Sequence, residues 1–284
     1  MSDDAPFLPP ELEREILELV ALSDPQYIPR LLAVNRRARI WIEPLRFKIL
    51  VFSVRVNNSP KPLDQQRHYI SMPQFSHALA SKPKSFFERH VRHIFISEQF
   101  GTEDLHKVFS ACTGATNLAF TERIDASLIP LISALPLQRL ALNLRNLFPS
   151  PVPLPDFSPL FAKITHLHLI TSNPHAVSWP HLATLPNLTH FAFTTEVPSE
   201  DTNPTEILQQ CPSLQVLWVQ SWFWRVMAST DSRFVSSPGD PASAPSIEDW
   251  TVGARGGEDG WYRAEALVTK RLARGKPERE TVIL

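Results

Sequence analysis

A short apolar motif recurs six times between residues 91 and 221, and this repetition limits the folds open to the chain more than any other feature. The motif is apolar-x-x-apolar-x-apolar, and its middle positions are spaced 24, 22, 27, 24 and 26 residues apart. These middle positions, called the anchors below, are Ile94, Leu118, Leu140, Leu167, Phe191 and Leu217. A period of about 20–29 residues is typical of strand-and-helix repeats. We therefore predict a parallel sheet with one strand per motif and helices in the connections.

The two cysteines fit the same repeat. Cys112 and Cys211 each stand six residues before an anchor, at the end of a stretch with helical periodicity. Equivalent repeat positions lie far apart along an array, beyond the roughly 7 Å Cα separation that a disulfide allows. We predict two buried, reduced thiols in equivalent places, as in a reducing compartment.

Charge and glycine content exclude several functions. The chain has 284 residues and a net charge of −1, so it lacks the positive surplus that attracts nucleic acid or anionic lipid. Only two of its eight glycines precede residue 238, which leaves no glycine-rich phosphate loop in that part. Its apolar runs are interrupted well before the about 18 residues of a membrane span. We expect a cytoplasmic or nuclear protein with no nucleic-acid or membrane partner.

Residues 88–221 resemble leucine-rich repeat proteins, most clearly in the segments CPSLQVLWV and LPNLTHFAF. The resemblance implies an α/β fold in which a degenerate leucine-rich-repeat solenoid carries a parallel sheet. The residues alone leave one alternative, an ordinary α/β domain with a parallel sheet, because short apolar runs do not separate the two.

The N-terminal segment differs from the repeats, because three helical stretches follow one another over residues 8–48. In the first, Leu12, Ile16, Leu19 and Val20 form one apolar stripe. The opening LPPELEREILELV resembles the start of an F-box, and RLLAVNRRARIW resembles its second half. Residues 81–93 and 249–261 are similar to the F-box-like proteins that are abundant in mushroom-forming fungi.

The F-box resemblance implies a partner. An F-box docks on the Skp-type adaptor of a cullin ubiquitin ligase, so the chain would be a non-enzymatic receptor for a target protein. The residues that would bind the adaptor are Leu8, Pro9, Leu12, Ile16, Leu17, Val20, Leu31 and Val34. The alternative is a free-standing repeat scaffold for protein–protein interaction, whose N-terminal helices act only as a cap.

Strand alternation predicts which residues share the face of the sheet opposite the anchors, called the column face below. In a leucine-rich-repeat solenoid this is the concave face, which such proteins commonly use for binding. We predict an open wall there that binds the target protein through His93, Phe95, Asn117, Arg139, His166, His168, His190 and Trp218.

The histidines on this face raise the question of a metal. His166 and His190 occupy equivalent positions on adjacent strands, but no carboxylate occurs between residues 164 and 195 to complete a site. The chain also lacks the sequence motifs of serine hydrolases and zinc proteases. We therefore predict no metal, no cofactor and no catalytic residue.

The C-terminal part is expected to cover the end of the array. A solenoid needs a cap where its last strand would otherwise expose backbone groups. We predict a helix from about Trp261 to Leu272 and packing of residues 245–272 on Trp218, Trp222, Phe223 and Trp224. The predicted organisation is an F-box-like module over 1–48, a connecting strand and helix over 49–90, the repeats over 91–221 and the cap over 222–284.

Overall fold

A single sheet of eight parallel strands organises the described part of the chain. The computed structural model describes residues 8–52, 69–97, 99–143, 158–170, 182–195, 203–221, 229–239 and 246–274. The strands lie side by side in chain order in an open sheet. They are β1 Ile49–Phe52, β2 His93–Ile96, β3 Asn117–Phe120, β4 Arg139–Asn143, β5 His166–Ile170, β6 His190–Thr195, β7 Val216–Ser221 and β8 Phe234–Ser237. The predicted α/β fold with a parallel sheet is confirmed.

The anchors set the register of this sheet. Ile94 lies opposite Leu118 and Leu118 opposite Leu140, and the row continues through the other three anchors. The sheet is longer than the six predicted strands. The connecting strand β1 pairs with β2, and β8, which the motif does not predict, pairs with β7.

Three helices form a small N-terminal module. They are α1 Pro10–Ser23, α2 Ile28–Leu31 and α3 Arg36–Phe47. Ala21, Ile28 and Ile42 form its buried centre. The module joins the main core through Phe47, whose ring meets those of Phe86 and Phe87 edge-on at 5.4 and 5.7 Å.

The described parts of the connections between strands contain six short helices, and buried side chains from them join the anchors in the main core. They are α4 Met72–Ser81, α5 Lys84–His90, α6 Thr102–Ala111, α7 Ile129–Ala134, α8 Ser158–Phe161 and α9 Pro204–Gln210. Proline lies in the first turn of α4, α7 and α9, where its fixed φ favours a helix and its missing N–H costs nothing. This position accounts for several of the 27 prolines in the chain.

The cysteines occupy equivalent places, as predicted. Cys112 ends α6 and Cys211 ends α9, and each backbone N–H donates to the carbonyl four residues earlier at 2.9 Å. Both side chains are buried and neither is in a disulfide. Burial raises the pKa of the Cys112 thiol to about 12 and also raises that of Cys211.

Two C-terminal helices pack on the column face of the sheet. They are α10 Ile247–Ala254 and α11 Gly260–Arg274, and the second confirms the predicted terminal helix. Trp250 of α10 packs with residues of β1 to β4, and Leu267 of α11 packs with residues of β6 to β8. The predicted packing of residues 245–272 on Trp218 is confirmed. The predicted position of the cap is corrected, because these helices cover a face of the sheet, and the strand at its C-terminal edge is β8.

Candidate functional site

The apolar stripe of α1 faces solvent. Leu12 and Ile16 expose 46% and 48% of their surface, and Leu19 exposes 64%. Exposed apolar clusters of this kind on a small module mark interaction surfaces more often than scattered single residues do. Six of the eight residues predicted to bind an adaptor are exposed, namely Leu8, Pro9, Leu12, Ile16, Val20 and Val34. The other two, Leu17 and Leu31, are half-buried and pack on the centre of the module.

Polar contacts between α1 and α3 hold the stripe in place. Glu13 of α1 accepts from the side chain of Asn35 at 3.3 Å and from Arg37 at 3.4 Å. Asn35 also caps α3, since its side-chain oxygen accepts from the backbone N–H of Ala38 at 2.7 Å. These contacts join the flank of α1 to α3 beside the stripe, while Leu17 and Ala21 pack on the module centre.

The wall predicted on the column face is covered. Five of the eight predicted target-binding residues are buried, namely Phe95, Asn117, His168, His190 and Trp218. The other three, His93, Arg139 and His166, are partly buried. The expected open wall is corrected for a physical reason. The columns of small and aromatic side chains form an apolar surface that α10 and α11 bury.

Trp250 attaches α10 to this face. Its ring meets Phe95 edge-on at a centroid distance of 5.2 Å, and only 9% of the residue is exposed. The indole N–H donates to the side-chain oxygen of Asn117 at 3.2 Å. The buried amide oxygen of Asn117 is thus satisfied by a residue 133 positions later in the chain.

Trp261 plays the corresponding part for α11. Its ring lies edge-on to Trp218 at 5.4 Å, to His166 at 5.3 Å and to His190 at 5.9 Å. The helix begins at Gly260, where a Cβ atom would collide with the ring of Trp218. A side chain at this position would therefore push α11 away from the sheet.

Two ion pairs reinforce the covered face. Asp259, which is almost fully buried, accepts from Arg139 of β4 at 3.0 Å and from the backbone N–H of Tyr262 at 2.9 Å. Asp249 accepts from Arg263 at 2.7 Å and from the backbone N–H of Gly260 at 2.9 Å. Each carboxylate therefore pairs with an arginine and also accepts from a backbone N–H at the start of α11, which stabilises that end of the helix.

A cavity of about 540 Å³ remains between the sheet and the two C-terminal helices. Its walls combine aromatic rings, imidazoles and the two ion pairs. The aromatic and histidine side chains that line it are His166, His168, Trp218, Trp250 and Trp261. The volume lies within the usual range for ligand pockets, about 300–1,000 Å³. Five of the predicted target-binding residues line it, namely Asn117, Arg139, His166, His168 and Trp218.

The histidines around the cavity are held neutral. Burial lowers the pKa of His168 to about 4, with a small opposing effect from Asp249. Burial, with the nearby charges of His190 and Arg139, lowers the pKa of His166 to about 3. Burial also lowers the pKa of His93 to about 4, with Lys48 as the next cause. At neutral pH these imidazoles therefore act as hydrogen-bonding and packing groups.

Helix α11 places a carboxylate next to His190. Glu265 places Oε1 2.6 Å from Nε2 of His190. His166, His190 and Glu265 each bring one possible metal-ligand atom to a point where all three lie within 4.8 Å of one another. The prediction of no metal considered carboxylates only within residues 164–195, and Glu265 lies outside that range. Glu265 follows Trp261 by four residues on α11, and this helical spacing is the signal that could have placed it beside the histidines.

Part of the predicted aromatic cluster lies outside the described residues. Trp222, Phe223 and Trp224 belong to the undescribed stretch 222–228. Among the residues that the structure describes, no helix combines the length and the apolar character that a bilayer crossing requires.

Comparison with known proteins adds no relative to this picture: no protein-family model matches the chain, and no curated protein matches it.

Proposed function

We propose that this chain is a non-enzymatic substrate receptor of a Skp/cullin-type ubiquitin ligase, with an F-box-like N-terminal module and a degenerate leucine-rich-repeat array. The observation that carries the proposal is the exposed stripe on α1. Six of the eight F-box-like positions are exposed, while Leu17 and Leu31 pack on the centre of the module. A complementary apolar groove on an adaptor would cover the exposed positions.

The repeat part of the proposal rests on the register of the sheet. Strands in chain order, with a repeat of 22–27 residues between anchors, are typical of leucine-rich repeats. The sheet is open, and the one connection that the structure describes in full, between β3 and β4, contains the short helix α7. These features support a repeat array over a doubly wound domain, whose strand order reverses in the sequence.

The target protein would engage the cavity under α10 and α11. A wall of tryptophan and histidine with paired charges suits one or two side chains of a protein segment. In this proposal the predicted target-binding residues contact the target through the cavity that they line, because α10 and α11 already cover the rest of the column face.

The test is adaptor binding by the full chain. Leu12 and Ile16 are about half exposed. Docking would bury this exposed half, which contributes about 1 kcal/mol of binding free energy per side chain. Leu12→Ala with Ile16→Ala should therefore weaken binding of a purified Skp-type adaptor by roughly 10- to 100-fold in calorimetry. The melting temperature should change little, since the stripe is not part of the core.

A matched control uses the other end of the chain. Tyr262 and Leu272 on α11 expose 52% and 61% of their surface, so Tyr262→Ala with Leu272→Ala removes similar exposed apolar area. This variant should bind the adaptor as the unmodified chain does. Equal affinity of all three proteins, or no binding by any of them, would overturn the proposal.

One observation favours the alternative of a free-standing scaffold. Phe47 at the end of α3 lies in the main core, so the N-terminal helices also cover the first part of the sheet. In that case the stripe variant would bind its partners normally, and ubiquitinated proteins recovered with it would match those recovered with the unmodified chain.

A further inference from the structure

Two histidines on neighbouring strands and one glutamate on α11 meet on the column face. His166 of β5 lies opposite His190 of β6 in the register of the sheet. Their rings stack at a centroid distance of 4.1 Å with an angle of 7° between the planes. Glu265 reaches this pair from the covering helix, with 2.6 Å between its Oε1 and Nε2 of His190.

A threonine hydroxyl lies beside Nδ1 of each histidine. Thr165 Oγ1 donates to the carbonyl of Gln138 at 3.1 Å, and it lies 2.9 Å from Nδ1 of His166. With its proton on the carbonyl, the hydroxyl oxygen can accept from Nδ1–H of the imidazole. Thr189 repeats the arrangement, donating to the carbonyl of Thr165 at 3.3 Å and lying 2.8 Å from Nδ1 of His190.

A neutral imidazole with its proton on Nδ1 has no hydrogen on Nε2, so in this tautomer both Nε2 atoms can bind a metal. Nε2 of His190 is buried and makes no hydrogen bond with the described residues, although Oε1 of Glu265 lies 2.6 Å away. A cation held between these two atoms would satisfy both of them.

We propose that His166, His190 and Glu265 bind one divalent transition-metal ion, with Zn²⁺ as the closest match. Two imidazole nitrogens and one carboxylate oxygen form a typical zinc ligand set with one open position for water. The hydrogen bonds from Nδ1–H to the threonines are the second-shell contacts that metal-binding histidines usually make. This inference does not depend on the proposed ligase function.

Small movements complete the coordination. Zinc–nitrogen bonds of about 2.0–2.1 Å in a tetrahedral site place ligand atoms roughly 3.4 Å apart. The three atoms already lie within 4.8 Å of one another. The side chain of Glu265 is 48% exposed and can move toward the histidines. The nearest other charge, on Arg139, is offset by its ion pair with Asp259 at 3.0 Å.

The metal would join α11 to the sheet. Two ligands lie on strands and the third on the helix, so the ion would stabilise the covered state of the column face. Because an ion that binds only the folded chain raises its stability, zinc should increase the melting temperature.

The test measures zinc affinity of the full chain by competition with a chromophoric chelator, and stoichiometry by native mass spectrometry. The expected result is one ion per chain. Glu265→Gln keeps the shape of the side chain and removes the charge, and it should weaken zinc binding at least about 100-fold, since even second-shell changes cost 10–100-fold. In the presence of EDTA this variant should melt as the unmodified chain does.

Two controls separate this site from adventitious binding. Glu258→Gln removes an exposed carboxylate just before α11, and His77→Gln removes an exposed imidazole on α4. Neither should change zinc affinity. Thr189→Val removes the acceptor of His190 Nδ1–H and should weaken binding by 10- to 100-fold, a loss that a purely surface site would not show.

The contrary outcomes are equally definite. Zinc affinity that is the same for the unmodified chain and Glu265→Gln would overturn the proposal, as would the absence of a one-to-one zinc or cobalt complex. Loss of binding in His77→Gln would assign the ion to a surface histidine instead. A cobalt complex whose visible spectrum lacks the intense bands of tetrahedral coordination would also contradict it.

Discussion

Replacing Trp250 by alanine tests how firmly α10 is attached to the sheet. The indole is 9% exposed, contacts Phe95 edge-on and donates to Asn117. A buried tryptophan removes about 200 Å² from water, which at about 25 cal/mol per Å² is worth about 5 kcal/mol. Measured Trp→Ala changes in cores cost about 3–5 kcal/mol. The buried amide of Asn117 would in addition lose its partner, at about 1–3 kcal/mol.

The expected loss of unfolding free energy is therefore about 4–8 kcal/mol. For a chain of this size each 1 kcal/mol lowers the melting temperature by roughly 2–4 °C, so a decrease of about 10–30 °C is expected. Scanning calorimetry and urea unfolding would measure it. Trp250→Phe retains a ring against Phe95 but loses the N–H and part of the buried indole, so it should cost at least about 1–3 kcal/mol and less than Trp250→Ala.

Val252→Ala on the same helix is the matched control. Val252 is exposed, and its truncation should cost less than about 1 kcal/mol. If Trp250→Ala melts within about 2 °C of the unmodified chain, α10 is not docked through its tryptophan. The account of a covered column face would then fail.

Two further predictions concern buried titratable groups. Cys112 and Cys211 should react with a maleimide much more slowly in the native chain than in about 6 M guanidinium, because burial raises both thiol pKa values and blocks access. Rapid labelling of either thiol in the native chain would contradict their buried placement. Burial lowers the pKa of His168 from 6.5 to about 4, so the unfolded chain binds more protons than the folded chain between these pH values. The free energy of unfolding therefore decreases as the pH is lowered through this window. The loss from pH 7.5 to pH 5 should be about 2 kcal/mol for this residue. Urea unfolding at both values should show a smaller loss in His168→Gln, and equal losses would refute the assignment.

The register of the sheet could be predicted from the sequence because it depends on local periodicity. Ile94, Leu118 and the later anchors recur at spacings that only one alignment of strands satisfies. A shift by one residue would turn every anchor to the other face, so the pattern defines the register strongly. The equivalence of Cys112 and Cys211 followed from the same period.

The cover on the column face could not be predicted in this way. Contacts such as Trp250 with Asn117 and Glu265 with His190 join residues far apart in the chain, and periodicity carries no information about such pairs. The mixture of polar and aromatic residues was interpreted as an exposed wall. The small residues Ala119 and Ala192 were the contrary signal, because a parallel strand that is apolar on both sides is usually buried on both sides.

The position of α10 and α11 at the end of the described chain has a consequence for synthesis. All eight strands leave the ribosome before these two helices, so the column face, with Phe95 and Trp218 on it, is bare until residues 246–274 emerge. An uncovered apolar surface on a nascent chain attracts chaperones and other chains. Translation of the last two helices therefore ends the period in which the growing protein is most prone to aggregate.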